Sequence, residues 1–137
     1  MYLLDTNVVS ELRRAKPHGG VLSWLHGVAD SDLHLSAVTI AEIQAGIEIT
    51  RETDQQKALE ISAWLDMVAG TYNILPMGAQ SFRAWAKLMH HRSDDLLEDG
   101  VIAATALVHN LTVVTRNVRD FKRFGVATLD PFATGRR

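Results

Sequence analysis

Short apolar segments alternate with amphipathic ones along the chain, and this alternation restricts the fold more than any other feature of the sequence. The predicted strands are residues 2–4, 32–36, 73–75, 111–115 and 126–128. Between them, apolar residues recur at the three- and four-residue spacing of helices. Strands separated by helices are typical of a parallel sheet, so we predict a single α/β domain with a small parallel sheet and helices on both faces.

Local signals place several helix boundaries. We predict a first helix over residues 8–14, a helix that opens at Thr39, and a longer helix over 53–69. Residues 101–108 are apolar on nearly all sides, which predicts a buried helix. Asn110 follows it and suits the left-handed conformation that often ends a helix.

The size and composition fit one globular domain. The chain has 137 residues, of which 47% are hydrophobic, and we assign residues 1–133 to the domain and 134–137 to a short flexible tail. There is no cysteine, which excludes disulfides, a thiol nucleophile and a thiolate zinc site. No segment has the apolar length of a membrane span, and the N-terminus lacks a basic signal region, so we expect a cytoplasmic protein without membrane contact.

Four acidic residues lie where a parallel fold places chemistry. Asp5 directly follows the first predicted strand, and Glu42 lies early in the helix after the second. Asp99 precedes the buried helix, and Asp120 follows the strand at 111–115. Because ligands of such folds bind beyond the carboxyl ends of the strands, we expect the four carboxylates to lie in one pocket.

Each acid also has a purely structural role open to it. Glu42 lies three residues after Thr39, which is the spacing of a capping box, and Asp120 repeats this spacing from Asn117. The other two acids lie where a carboxylate caps a helix or complements its dipole. The sequence favours a shared pocket only because all four occur in the same chain.

Grouped carboxylates repel one another unless a cation lies between them. Oxygen ligands without cysteine or clustered histidine favour a hard cation, so we predict Mg²⁺, with Mn²⁺ as the alternative. Such an ion activates water and neutralises charge on a phosphodiester.

These residues resemble the PIN-domain ribonucleases of the VapC/FitB toxin type over essentially the whole chain. The segments that carry the resemblance are LLDTNVVSEL (3–12), LSAVTIAEIQAGI (35–47), DGVIAATALVHNLTVVTRNVRDF (99–121) and TLDPF (128–132). Each is weak alone, but the ordered set is specific. The resemblance implies a magnesium-dependent endoribonuclease that hydrolyses RNA with activated water, as the toxin half of a type II toxin–antitoxin pair.

The resemblance also implies roles for particular residues and partners. Asp5, Glu42, Asp99 and Asp120 fall on the catalytic acidic pocket, with Asp5 and Asp99 on its main metal ligands. Thr6, Thr115 and Asn117 fall on helper positions. The implied partners are RNA, a second copy of the chain, and an antitoxin whose tail enters the pocket; DNA is expected only through the antitoxin.

Two features depart from the pattern of this family, and a third position varies within it. Gly100 replaces a small apolar residue, and we expect it to loosen the hold on Asp99 because glycine weakens a helix. Asp94 and Asp95 occupy a loop that commonly has a glycine, and we interpret both as solvated or capping residues. The fourth acid of the family varies between two positions, which are Asn117 and Asp120 in this chain.

Arg116 is the favoured RNA-binding cation because it lies between Thr115 and Asn117; solvated surface charge is the alternative. Two rival functions remain. A haloacid-dehalogenase-like phosphatase also begins with a strand that ends in Asp, but it needs a second acid where this chain has Asn7. A PIN fold that acts only as a non-catalytic module in a DNA-bound complex is the other.

Overall fold

The computed structural model describes residues 1–133, and these form a five-stranded sheet with helices on both faces. The predicted residue 134–137 tail lies outside the described residues, so the domain boundary at 133 stays a prediction. The strands are β1 (Tyr2–Leu4), β2 (Leu33–Ser36), β3 (Asn73–Leu75), β4 (Thr112–Val114) and β5 (Thr128–Leu129). All neighbouring pairs are parallel, in the order β3-β2-β1-β4-β5. The predicted fold class is therefore confirmed.

The helices follow the strands in the predicted alternation. They are α1 (Thr6–Glu11), α2 (Gly19–His26), α3 (Ala37–Arg51), α4 (Gln55–Thr71), α5 (Ala79–Met89), α6 (Leu97–His109) and α7 (Val118–Lys122). Within residues 1–133, no helix is both long enough and apolar enough to cross a membrane. The cytoplasmic location stays a prediction.

Two hydrophobic cores lie on opposite faces of the sheet. Leu3 of β1 is buried among residues of α6 and α7, whereas Leu4 is buried on the other face among residues of α1, α2 and α4. Successive residues of a strand point to opposite faces, so the three-residue strand supplies both cores. This double burial accounts for the continuous apolar run before Asp5.

The order in which strands are added to the sheet reverses at its centre, next to β1. From β1, the chain builds outward to β2 and β3 on one side, and later to β4 and β5 on the other. The ends of β1 and β4 therefore border the crevice in which parallel folds bind ligands. Asp5 lies at this point, and its backbone N–H donates to the carbonyl of Val114 at 2.9 Å.

Several predicted boundaries need correction. The third helix begins at Ala37 rather than Thr39, because Ser36 at the end of β2 caps it by accepting from the N–H of Val38. The last strand covers residues 128–129 rather than 126–128. Asn110 has φ 55° and ends α6, so its predicted left-handed conformation is confirmed.

Candidate active site

The carboxylate of Asp5 is buried and held by three donors. Its Oδ1 accepts from the N–H of Thr6 at 2.7 Å, and its Oδ2 accepts from Asn7 Nδ2 at 2.7 Å and Thr115 Oγ1 at 2.8 Å. A carboxylate has about four lone-pair positions, so one on Oδ1 has no donor among these three. Burial raises the pKa of Asp5, and the three hydrogen bonds oppose this rise.

Glu42 reaches the same region from α3. Thr6 Oγ1 donates to Glu42 Oε1 at 3.1 Å and lies 3.0 Å from the hydroxyl of Thr39. The predicted capping box between Thr39 and Glu42 is therefore wrong: Thr39 is buried inside the helix, and the glutamate points to α1. Burial and the neighbouring Glu98 raise the pKa of Glu42 to about 7.

Asp99 and Asp120 complete the acidic group. Asp99 lies in the first turn of α6, and Asp120 lies in the first turn of α7. Burial raises the pKa of Asp99 to about 6, and the negative charges of Asp5, Asp120 and Glu98 add to this rise. Asp99 is therefore close enough to Asp5 and Asp120 for their charges to affect it, and Asp5 also affects Glu42. The structure thus brings the four predicted acids into one group of interacting charges, called the acidic group below.

The acidic side chains can be compared with the ligands that Mg²⁺ requires. Within residues 1–133, no three acidic or histidine side chains already converge as a cage for an ion. Mg²⁺ does not require a cage, because it commonly binds one or two carboxylates and keeps several waters. Asp5 and Asp99 offer hard oxygen ligands of like charge, which repel each other until a cation arrives. This donor set fits the predicted ion.

The predicted helper residues have different surroundings. Thr115 is fully buried and, besides donating to Asp5, accepts from the N–H of Asn117 at 2.9 Å. Asn117 is exposed at the start of α7, where its side chain makes no capping hydrogen bond. Of the two positions considered for the fourth acid, only Asp120 contributes charge at Asp99.

Gly100 has a clearer role than the expected loosening of Asp99. A Cβ atom built there would lie 2.6 Å from Met89 Sδ and 3.4 Å from Trp85 Cδ1. Glycine therefore allows α5 to pack closely against the first turn of α6. Asp94 and Asp95 are exposed in a short 3₁₀ turn, in agreement with their interpretation as solvated residues.

A groove of about 280 Å³ extends from the acidic group between α1, α3 and α4. Thr6 and Glu42 line the end that is next to the acids. Its remaining lining is mixed, with the polar Ser10, Arg13 and Thr50 beside apolar side chains of Ile43, Ile47, Ile61 and Trp64. The groove therefore joins the acids to a partly apolar surface.

Two acids in this part of the molecule were missed from sequence. Glu98 is exposed beside Asp99, yet it shares a hydrogen bond with Glu42 and adds negative charge to both acids. The adjacent acids in the segment LLED were the available signal. Glu11 is buried at the end of α1; its spacing from Arg14 is typical of an exposed ion pair, so the sequence gives no signal of its burial.

Comparison with known proteins identifies the class. The PIN domain family model matches residues 2–127, so the chain belongs to the PIN domain family. The chain is 36% identical over 140 residues to a protein named VapC ribonuclease Y4jK of Sinorhizobium fredii, a match that covers 96% of this chain and 98% of that protein. It is also 36% identical over 141 residues to Toxin FitB of Neisseria gonorrhoeae, covering 96% and 99%.

Solved structures agree with this assignment. The crystal structure of FitAcB from Neisseria gonorrhoeae superimposes with a TM-score of 0.72 at 33% identity, over 97% of this chain and 99% of that one. A structure of FitAB bound to a DNA fragment gives a TM-score of 0.71 at 33% identity, over 96% of each chain. The predicted resemblance to the VapC/FitB type is therefore confirmed.

Proposed function

We propose that this protein is a magnesium-dependent endoribonuclease and the toxin component of a toxin–antitoxin pair. The observation that carries the proposal is the acidic group at the switch point of the sheet, where the negative charges of Asp5 and Asp120 raise the pKa of Asp99 and favour a cation beside it. The names of the similar proteins, ribonuclease and toxin, support the reaction and the biological class.

The proposed reaction is attack of water on phosphorus, which forms one P–O bond and breaks another to release an RNA end. When bound, Mg²⁺ would lower the pKa of that water and neutralise charge on the phosphate. Asp5 and Asp99 would hold the ion. Glu42, whose pKa of about 7 lies near neutral pH, is suited to accept the proton from water. Asp120 would add negative charge near Asp99 and so favour the bound ion.

Thr6 and Thr115 act by positioning the acids. The hydroxyl of Thr6 donates to Glu42 while its N–H donates to Asp5, so one residue ties both carboxylates together. Thr115 fixes the second oxygen of Asp5. Arg116 is exposed next to Thr115, where it would attract RNA phosphates.

The proposed regulator is an antitoxin protein whose tail enters the groove beside Glu42. The groove offers apolar contacts from Ile43 and Trp64 and ends at the acids, where a cationic side chain of the antitoxin would bind. Complexes of similar proteins with their partners, some on DNA, support this part. A homodimer, and DNA contact only through the antitoxin, belong to the same proposal.

The direct test is cleavage of a mixed RNA pool by purified protein with Mg²⁺, with EDTA, and as the variant Asp99→Asn. We expect cleavage only by the wild-type protein with Mg²⁺. Asp66→Asn, which changes an exposed aspartate of α4, is the matched control and should cleave normally. Equal cleavage by wild type and Asp99→Asn would contradict the proposed site.

The non-catalytic alternative makes a different prediction. A PIN fold that acts only within a DNA-bound complex would form that complex with its antitoxin yet leave RNA intact under all conditions. The phosphatase alternative is less compatible with the structure, because the amide of Asn7 donates to Asp5 rather than acting as an acid. Hydrolysis of a phosphomonoester but not RNA would favour it.

A further inference from the structure

A second buried carboxylate lies outside the acidic group. Glu11 is only 6% exposed, and within the described residues its Oε2 is buried without any hydrogen-bond partner. Among residues 1–133, its Oε1 makes one long contact of 3.4 Å, with Nη1 of Arg14, a side chain that is 70% exposed. Leaving a buried charged oxygen unpaired is costly, so this arrangement indicates a binding group rather than a structural one.

Glu11 lines an open cavity of about 340 Å³ on the α1 side of the sheet. The cavity is lined by Asn7, Ser10, Glu11, Arg14, Arg116 and Phe132. The guanidinium of Arg116 lies 3.9 Å from the ring centroid of Phe132 and packs on its face. Phe132 is buried, so it supports the guanidinium plane from one side only. Among the described residues Arg116 is exposed, so its guanidinium is available for stacking with a flat ligand.

The charges around the cavity favour a neutral donor over a cation. Arg14 and Arg116 both line it, and their positive charges would repel a metal ion or a basic side chain. No group of three metal-binding side chains exists in the part of the chain that the structure describes. The same arginines attract a polyanion. The cavity therefore requires a flat ligand with neutral hydrogen-bond donors and attached negative charge. A nucleic-acid base fits, because it is flat, carries N–H donors and is attached to phosphate.

The cavity is directly connected to the candidate active site. Asn7 lines the cavity, donates from Nδ2 to Asp5, and accepts from the N–H of Arg116 at 3.4 Å through Oδ1. Asn7 therefore both contacts Asp5 and lines the cavity that contains Glu11. RNA with a phosphate at Asp5 would place a flanking nucleotide over Arg116.

We propose that this cavity is a base-recognition subsite that selects guanine next to the cleaved phosphate. The Watson–Crick edge of guanine presents two adjacent donors, N1–H and the N2 amino group, which match the two oxygens of a carboxylate. Guanine binding requires the exposed Arg14 side chain to swing away from Glu11, so that both carboxylate oxygens face the cavity. Arg116 stacks on the same base, and Arg14 moves to the phosphate. Uracil offers one donor between two carbonyl groups, which the carboxylate repels. The inference rests on the proposed RNA substrate.

The test is binding of short uridine RNAs that carry one central guanine, inosine, adenine or cytosine, measured by fluorescence anisotropy in EDTA. Inosine is the sharpest probe because it lacks only the N2 amino group of guanine. We expect wild-type protein to bind the guanine RNA about tenfold more tightly than the inosine RNA. Glu11→Gln should bring this ratio close to one.

Two further variants separate recognition of the base edge from general binding. Glu48→Gln alters an exposed glutamate that pairs with Arg51 at the same three-residue spacing, and it should keep the tenfold ratio. Arg116→Ala should weaken binding of every RNA, because stacking and phosphate attraction do not depend on the base. Circular dichroism would verify that Glu11→Gln folds.

Several outcomes would overturn the inference. These include equal binding of guanine and inosine RNAs by wild type, and no RNA binding at all. Binding of arginine amide that is lost in Glu11→Gln, without any base preference, would assign the cavity to a protein partner.

The inference and the proposed function fail in different ways. Magnesium-dependent cleavage without a base preference would leave the nuclease in place and remove the guanine subsite. A guanine preference that disappears in Glu11→Gln, without any cleavage, would keep the subsite and favour the non-catalytic module.

Discussion

Asp5 and Glu11 are buried carboxylates at opposite ends of the short helix α1, and their surroundings differ sharply. Asp5 has three close donors, one from each of Thr6, Asn7 and Thr115. Glu11 has one long contact with an exposed arginine and an oxygen without any partner among residues 1–133. The same helix therefore holds one acid rigidly and leaves the other available.

The difference indicates two kinds of binding. The donors of Asp5 fix its orientation and leave a position for a cation. The negative charges of the neighbouring acids favour binding of that cation. The cavity beside Glu11 is lined by two arginines and no second acid, so Glu11 is suited to accept from neutral hydrogen-bond donors. A buried acid among other acids suits a metal, and a buried acid in a cavity that also presents arginines suits a polar ligand that carries its own negative charge.

The largest expected effect is on catalysis at Asp5. Asp5→Asn should lower the rate of RNA cleavage by at least about 1000-fold, because it removes a metal ligand and its charge. The free energy of unfolding should change by less than about 2 kcal/mol, since loss of a charge relieves repulsion while hydrogen bonds are rearranged. Single-turnover cleavage and urea unfolding would measure the two effects. A variant with normal cleavage would remove Asp5 from the site.

Loss of one donor to Asp5 tests how firmly that acid is held. Thr115→Val keeps the shape of the buried side chain but removes its hydroxyl from Asp5 and from the N–H of Asn117. We expect destabilisation by about 2 kcal/mol at pH 7 because buried polar groups lose their partner. Thr112→Val, in the strand that precedes Thr115, is the control and should change stability little. Equal effects of the two variants would refute the special role of Thr115.

The pH dependence of Asp99 follows from its raised pKa. Its folded-state pKa of about 6 exceeds the ordinary value of 3.8, so the folded state binds more protons between these values. Stability without metal should therefore fall as pH rises through this window. Asp99→Asn should stabilise the protein by about 1 kcal/mol at pH 8, after allowance for solvent at this half-buried group, and not at pH 4. Urea unfolding in EDTA would measure the stability of wild type and Asp99→Asn at both pH values. An equal gain at pH 4 and pH 8 would show that the charge of Asp99 is not the cause.

The smallest effect concerns the stability contribution of Glu11. Glu11→Gln should raise the free energy of unfolding by about 1 kcal/mol, because a neutral amide loses less hydration on burial than an unpaired carboxylate. Glu48→Gln changes a fully exposed acid and should leave stability nearly unchanged. The comparison uses thermal and urea unfolding of both variants. A clear loss of stability in Glu11→Gln would mean that Glu11 is already satisfied in the free protein.

The alternation of strands and helices was enough to predict the fold class. Buried strands such as residues 2–4 serve two cores at once, and this leaves an uninterrupted apolar run that is visible in sequence. Helix starts were harder to predict. At α3 both Ser36 and Thr39 are suitable caps, and the choice depends on where β2 ends against its neighbour strands.

The candidate site was predictable only where position along the chain determines position in space. Asp5 is fixed by the end of β1, and Asp99 is fixed by the start of α6. The roles of Glu98, Glu11 and Gly100 depend on contacts between elements far apart in sequence. Gly100 shows this most clearly, because Met89, whose side chain would have to shift to admit a Cβ atom there, comes from α5.

The most direct test of the central claim is the thermal unfolding midpoint of the wild-type protein and of Asp99→Asn as Mg²⁺ is added. If the acids form a metal site, Mg²⁺ should raise the midpoint of wild type in a saturable manner and leave that of Asp99→Asn almost unchanged. Asp66→Asn should respond like wild type. An equal response of wild type and Asp99→Asn would contradict the assignment of the acidic group as a metal site.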